Sequence, residues 1–185
     1  MNTLTTPVPV AAITSLKQGD RVAISGTLYT ARDAAHKRFM ELVDRGKPLP
    51  VDLNGQFLYY TGPAPAKPGE VIGSAGPTTA SRMDRYTPEL IAATGLRGII
   101  GKGNRNDSVI AALQQFACVY CAATGGAGAL LGKCIKKADL VCYEELGAEA
   151  VYRLEVVDFP LIVAIDVHGG NRFVEGPKEW RRTAI

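Results

Sequence analysis

Short apolar runs with strand character are spread along the whole chain, while helical periodicity is concentrated in its middle third. That distribution limits the fold more than any other property. Residues 21–30 alternate Val22, Ile24 and Leu28 with polar neighbours, as a half-buried strand does. From 33 to 43 the period changes: Ala35, Phe39, Met40 and Val43 recur at helical spacing until Gly46, Pro48 and Pro50 end the pattern. Residues 57–60, Phe-Leu-Tyr-Tyr, predict a second strand, 62–69 a Pro/Gly-rich loop and 71–75 a short strand. Thr87-Pro88-Glu89 reads as an N-cap with proline at the first helical position, and Gly95 closes a helix over 88–94. Residues 97–101 predict a buried strand, and Asn106 or Asp107 can cap a helix whose Val109, Ile110, Leu113 and Ala117 share one face. A strand over 118–123 and a glycine-rich helical turn over 124–131 follow. Three more β segments are expected at 138–143, 151–157 and 161–166, with Val167-His-Gly-Gly-Asn as a turn. This mix predicts one α/β domain over residues 1–185 with a mixed sheet or barrel-like layers, not a regular doubly wound repeat. The Thr/Pro-rich residues 1–18 and the segment 176–185 read as extended termini.

With 185 residues, 46% of them apolar and 21% charged, there is enough chain for a hydrophobic core. A net charge of +3 with dispersed basic residues is not the footprint of a nucleic-acid binder. The clusters His36-Lys37-Arg38, Lys136-Lys137 and Arg181-Arg182 read as solvated surfaces. The N-terminus lacks the basic and apolar regions of a secretory signal, and no apolar run reaches bilayer length. A cytoplasmic protein without a membrane partner is therefore expected, and its cysteines, Cys118, Cys121, Cys134 and Cys142, are expected to be reduced. Cys118 and Cys121 stand three apart on a predicted strand, which points them to opposite faces, so they cannot readily share a metal. They read as small buried hydrophobes, and no metal site is predicted in this chain.

Chemistry gathers in residues 76–103, where Gly76-Pro-Thr-Thr leads through Arg82 and Asp84 to Arg97, Gly98, Gly101, Lys102 and Gly103. Glycine turns let a small ligand approach backbone N–H groups, and guanidinium and ammonium groups supply the charge that holds an anion. The segment has no His or Cys, so it reads as half of an active site. Gly101-Lys102-Gly103 is not a Walker A end, because no glycine stands five residues before Gly101 and no Ser or Thr follows Lys102. Gly126-Ala-Gly128 fails as a dinucleotide fingerprint because Leu131 takes the third glycine position. His36 and His168 are the only histidines, and His36, on a charged helix face, reads as solvated. There remain Arg32, Arg82 and Lys102, each at the end of a predicted element. Two arginines and a lysine converging on one sheet rim would suit a dicarboxylate. The alternative is that they are surface salt-bridge partners.

Four motifs carry a resemblance: Gly26-Thr-Leu-Tyr-Thr-Ala-Arg-Asp-Ala-Ala-His-Lys-Arg, Gly76-Pro-Thr-Thr-Ala-Ser-Arg-Met-Asp, Thr94-Gly-Leu-Arg-Gly-Ile-Ile-Gly-Lys-Gly and Leu154-Glu-Val-Val-Asp-Phe-Pro. In this order they resemble the β subunit of class I, iron-sulfur-dependent fumarate hydratase, a family that includes tartrate dehydratase β subunits. The resemblance implies a swivelling β/β/α fold and an active site shared with an α subunit that carries a 4Fe-4S cluster, in an α2β2 hetero-tetramer. It implies reversible hydration of fumarate to (S)-malate, with tartrate dehydration or a stand-alone dicarboxylate-binding regulatory domain as alternatives. By motif position, Arg32, Arg82 and Lys102 would contact the substrate carboxylates and Thr78 would be the catalytic base. Thr79 and Asp84 would cap or orient the turn that presents Thr78 and Arg82. The loop after Lys102, Asn-Arg-Asn-Asp-Ser, is more polar than this family leads one to expect.

Overall fold

The computed structural model describes residues 1–182. Seven strands, β1 (Asn2–Thr5), β2 (Arg21–Thr30), β3 (Phe57–Tyr59), β4 (Gly98–Gly101), β5 (Val119–Ala122), β6 (Ile135–Cys142) and β7 (Val151–Ile165), form one sheet in the order β1-β2-β3-β4-β5-β7-β6. The helices are α1 (Val10–Thr14), α2 (Asp33–Val43), α3 (Thr87–Thr94), α4 (Asp107–Gln115), α5 (Gly128–Cys134) and α6 (Arg172–Trp180). Strands β2 to β5 run parallel, and the long β7 pairs antiparallel with both β5 and β2. That double pairing closes β2-β3-β4-β5-β7 into a five-stranded mixed barrel, with β1 and β6 added at its flanks. The expected α/β architecture with barrel-like layers is the one observed.

Alternation along the strands divides the core in two. Phe57, Tyr59, Ile100, Val119 and Cys121 point into the barrel, where Ile13 and Leu16 from the N-terminal segment join them. Leu58, Tyr60, Ile99 and Tyr120 point outward and are covered by α2, α3 and α4 through Phe39, Leu90 and Leu113. Cys118 belongs to the outer cluster and Cys121 to the inner one, so the sheet separates the two thiols as strand geometry predicts. Gly98 has to be glycine: a Cβ there would lie 2.0 Å from the Phe57 ring inside the barrel.

Several boundaries differ from expectation. Residues 71–75 are not a strand; Ala64 exchanges hydrogen bonds with Gly73 and Ser74 (3.1 and 2.9 Å), which ties the segment to the preceding loop instead of the sheet. The segments at 151–157 and 161–166 are one strand, because Asp158 makes a bulge at φ 50° in place of a turn and its N–H donates to Ser25 Oγ at 3.0 Å. Neither terminus is simply extended. Residues 2–5 pair with β2 and 10–14 are helical, while α6 runs through residue 180 on an Asn171 cap; the expectation for 183–185 lies outside the described residues. Asn106 caps α4 by accepting from Val109 N at 3.0 Å, and Gly95 ends α3 in the left-handed region at φ 69°.

Candidate active site

The parallel strands β2, β3 and β4 end on one rim of the barrel. Arg32 follows β2 and immediately precedes α2. Beyond the end of β3, Thr61 Oγ1 donates to Gly76 O at 2.7 Å and Tyr59 Oη donates to Ala75 O at 2.6 Å, drawing the Gly-Pro-Thr-Thr segment onto the rim. Thr78 N then donates to Tyr60 O at 2.7 Å, while Lys102 N donates to Thr78 O at 3.2 Å and Ala80 N to Lys102 O at 2.9 Å. Residues 78–80 are thus wedged between the ends of β3 and β4, with Thr79 and Lys102 in a parallel bridge. A 3-10 turn, Ala80–Met83, carries Arg82 toward α2, where its Nη2 lies 3.1 Å from Asp33 Oδ2.

Of the four residues singled out from sequence, Thr78 and Lys102 meet through their backbones, and Arg82 reaches the residue next to Arg32. Arg32 is half-buried; its Nη2 lies 3.1 Å from Glu149 Oε1, and Glu149 Oε2 accepts from Ala34 N at 3.0 Å. Its Nε is buried with no hydrogen-bond partner among the described residues. The Arg82–Asp33 pair is half-exposed, and such a pair contributes only about 0–1 kcal/mol. Lys102 is exposed and has no ion-pair partner among the described residues.

Beneath this rim lies a polar network that sequence reading did not reveal. Arg105 is 4% exposed. Its Nε donates to Asp84 Oδ1 at 2.7 Å and its Nη2 to Thr87 Oγ1 at 2.8 Å, while its guanidinium carbon sits 5.5 Å from the Tyr60 ring centre and 5.0 Å from that of Tyr120. The second Asp84 oxygen accepts from Asn106 N at 2.9 Å. The unexpectedly polar loop is thereby explained: its arginine turns inward to neutralise Asp84. A single arginine among asparagines gives no sequence signal of burial.

His36 corrects a second expectation, since it is fully buried and not solvated. Its Nδ1 lies 2.8 Å from the carbonyl oxygen of Arg32; a carbonyl only accepts, so the proton resides on Nδ1. Nε2 then carries the lone pair and is buried without a partner among the described residues. The ring stands edge-on to Tyr60 at 5.0 Å. Burial above all, with the Arg105 charge adding to it, lowers its pKa from 6.5 to about 4 against the opposing Arg32 hydrogen bond, so the imidazole is neutral at ordinary pH.

This chain's own residues do not fit an iron-sulfur cluster. Cys118 and Cys121 are on opposite faces of the sheet, and burial pushes the Cys121 thiol up to about 12, away from the thiolate a metal requires. Among the described residues no three His, Cys, Asp or Glu side chains are grouped so as to hold a metal ion, and no helix is long and apolar enough to cross a membrane.

A family model described as the fumarase C-terminus matches residues 2–176. A Methanocaldococcus jannaschii protein provisionally named L(+)-tartrate dehydratase subunit beta is 41% identical over 172 residues, covering 90% of this chain and 88% of that protein. The anaerobic class I fumarate hydratase of Escherichia coli is 38% identical over 165 residues, covering 89% of this chain but 30% of that enzyme. Fumarate hydratase 2 of Leishmania major is 40% identical over 156 residues, covering 84% of this chain and 28% of that enzyme. The chain therefore spans most of one relative and less than a third of the two fumarate hydratases. With a match from residue 2 to residue 176 and relatives near 40% identity, this chain belongs to the fumarase C-terminus family, whose relatives here are hydro-lyases or subunits of them.

Proposed function

We propose that this chain is the β subunit of a dicarboxylate hydro-lyase that interconverts fumarate and (S)-malate, and that it supplies the cationic half of a site completed by an α subunit. The observation that carries this reading is the wedge of residues 78–80 between the strand ends, which sets Thr78 beside Lys102 and, through the Ala80–Met83 turn, brings Arg82 to the base of α2 next to Arg32. Arg32 and Arg82 each offer a planar fork to a carboxylate, and Lys102 adds a point charge. Removal of the carbon-bound proton from malate leaves an aci-carboxylate with additional negative charge. Three fixed cations stabilise that charge more than they stabilise the substrate, which lowers the barrier. In this scheme Thr78 Oγ1 takes the carbon-bound proton as its own hydroxyl proton passes to a carboxylate of the α subunit, and departure of the malate hydroxyl completes the loss of water. A threonine hydroxyl alone is far too weak a base, so the role requires the neighbouring cations and an acidic group from the α subunit.

The 4Fe-4S cluster of the reaction is assigned to the α subunit, which accords with the dispersed thiols of this chain. We assign the pair to an α2β2 hetero-tetramer in the cytoplasm.

Tartrate dehydration is the second reading, favoured by the Methanocaldococcus jannaschii relative that this chain nearly spans. Reconstitution with a cluster-bearing α subunit, followed by assay of fumarate, malate and tartrate, separates the two. Turnover of fumarate and malate without tartrate supports the first reading; tartrate alone supports the second. A complex that turns over none of them refutes both.

A further inference from the structure

Two segments carry cations to the rim, the Ala80–Met83 turn with Arg82 and the loop that begins at Lys102, and they touch beneath it through one buried ion pair. Asp84 stands two residues after Arg82, and Arg105 three residues after Lys102. The Asp84 carboxylate is shared: Oδ1 holds Arg105 Nε at 2.7 Å and Oδ2 holds the Asn106 backbone N–H at 2.9 Å. Between these anchors the loop is open. Lys102, Gly103 and Asn104 are exposed, and Gly103 takes φ 83°. The Lys102 backbone is bonded to Thr78 and Ala80 at the start of the loop, and further along Tyr120 Oη donates to Gly103 O at 2.9 Å and Asn171 Nδ2 to Asn104 Oδ1 at 3.1 Å, so the Asp84 anchor fixes the far end.

A buried ion pair is a poor device for stability alone, since apolar residues of similar volume do as well or better. It is a good device for register, because its geometry tolerates little displacement. We propose that Asp84, through its shared grip on Arg105 and Asn106, is the positioning residue that holds Lys102 at the distance the substrate carboxylate requires. This rests on the hydro-lyase reading above. The pair does not touch substrate; it is sealed under the site between Tyr60 and Tyr120 and acts through the loop.

Asp84→Asn tests the role with almost no change of volume. A carboxamide has one acceptor oxygen, so it can receive Arg105 Nε–H or Asn106 N–H but not both, and its NH2 then faces a donor. In the reconstituted two-chain enzyme, Asp84→Asn is expected to lower kcat/KM by about tenfold or more. In a Lys102→Ala background the same substitution is expected to cost less than about threefold, because the side chain it positions is gone. Amide exchange at Lys102 and Asn106, whose N–H groups donate to Thr78 O and Asp84 Oδ2, should accelerate in the Asp84→Asn chain. Arg105→Lys keeps the buried charge but cannot fork to Asp84 and Thr87 together; it should reproduce the pattern and replaces Asp84→Asn in the cycle if that chain does not fold.

Equal losses in both backgrounds would show a merely structural role and overturn the proposal, as would full activity of Asp84→Asn or unchanged exchange. If Lys102→Ala alone keeps wild-type activity, or the wild-type complex is inactive, it is the clamp reading that fails and the positioning role falls with it. An impaired Lys102→Ala enzyme beside an indifferent Asp84→Asn enzyme leaves the clamp standing and removes only the positioning role.

Discussion

Acid should unfold this protein in a manner traceable to one side chain, His36. Its imidazole is sealed among Tyr60, Phe39 and Tyr86, and burial lowers its pKa from 6.5 to about 4. Between those values the unfolded chain carries a proton that the folded chain does not, so stability falls as the pH is lowered through that window. Integrated from about pH 7 to about pH 4.5, the difference amounts to about 2 kcal/mol, and the full effect below both values approaches about 3 kcal/mol. The reason is local: a proton on Nε2 has no acceptor there, and the resulting cation would be added to the field of Arg105, with only Asp33 nearby to offset it. Urea unfolding of wild type and His36→Phe at both pH values measures this directly. Phenylalanine suits the aromatic surroundings and does not titrate, although it gives up the bond to Arg32 O and should be less stable at neutral pH. Wild type should lose about 2 kcal/mol more than His36→Phe on acidification. Identical pH dependence in the two proteins would refute the buried neutral histidine.

Two further outcomes follow from the buried groups. Arg105→Met leaves Asp84 as an uncompensated charge and should destabilise the protein by about 3–5 kcal/mol in chemical unfolding, with Asp84→Asn in the same chain recovering much of that; a loss under about 1 kcal/mol would contradict the pairing. A thiol reagent applied to the folded chain should modify Cys134 and Cys142 slowly, burial having raised both thiols, and Cys118 and Cys121 only on unfolding. Rapid native-state labelling of Cys118 or Cys121 would place them outside the two cores.

Much of the framework was legible because local pattern and tertiary environment agree. The alternation of Val22, Ile24 and Leu28 marks the inner face of β2, and the spacing of Ala35, Phe39 and Met40 marks the buried face of α2 with its observed limits. Gly95 and Asn106 announced a helix end and a helix start through their own chemistry. Barrel closure was not legible, since it depends on β7 pairing with two strands distant in sequence. The bulge at Asp158 reads locally as a break between strands. At the site, the placement of Thr78 beside Lys102 and of Arg82 near Arg32 follows from strand ends that the sequence pattern marks, whereas the ion pairs of Arg32 with Glu149 and of Arg82 with Asp33 carry no local signal. Arg105 and Glu149 were not legible, because their partners, Asp84 and the Arg32 guanidinium, lie far from them in sequence; nor was His36, fully buried with its Nδ1 on the Arg32 carbonyl one turn before it. His36 was misread because the flanking Lys37 and Arg38 are exposed, while its own position falls on the apolar face with Phe39 and Met40.

The central claim, that this chain clamps a dicarboxylate with cations held on the rim, is tested most directly by kcat/KM of Lys102→Ala in the two-chain enzyme. Lys102 is exposed and makes no ion pair among the described residues, so its removal should leave folding and assembly intact. The expected loss is about 2–4 kcal/mol of transition-state stabilisation, or roughly 30- to 1000-fold in kcat/KM. A Lys102→Ala enzyme within about threefold of wild type would contradict the clamp.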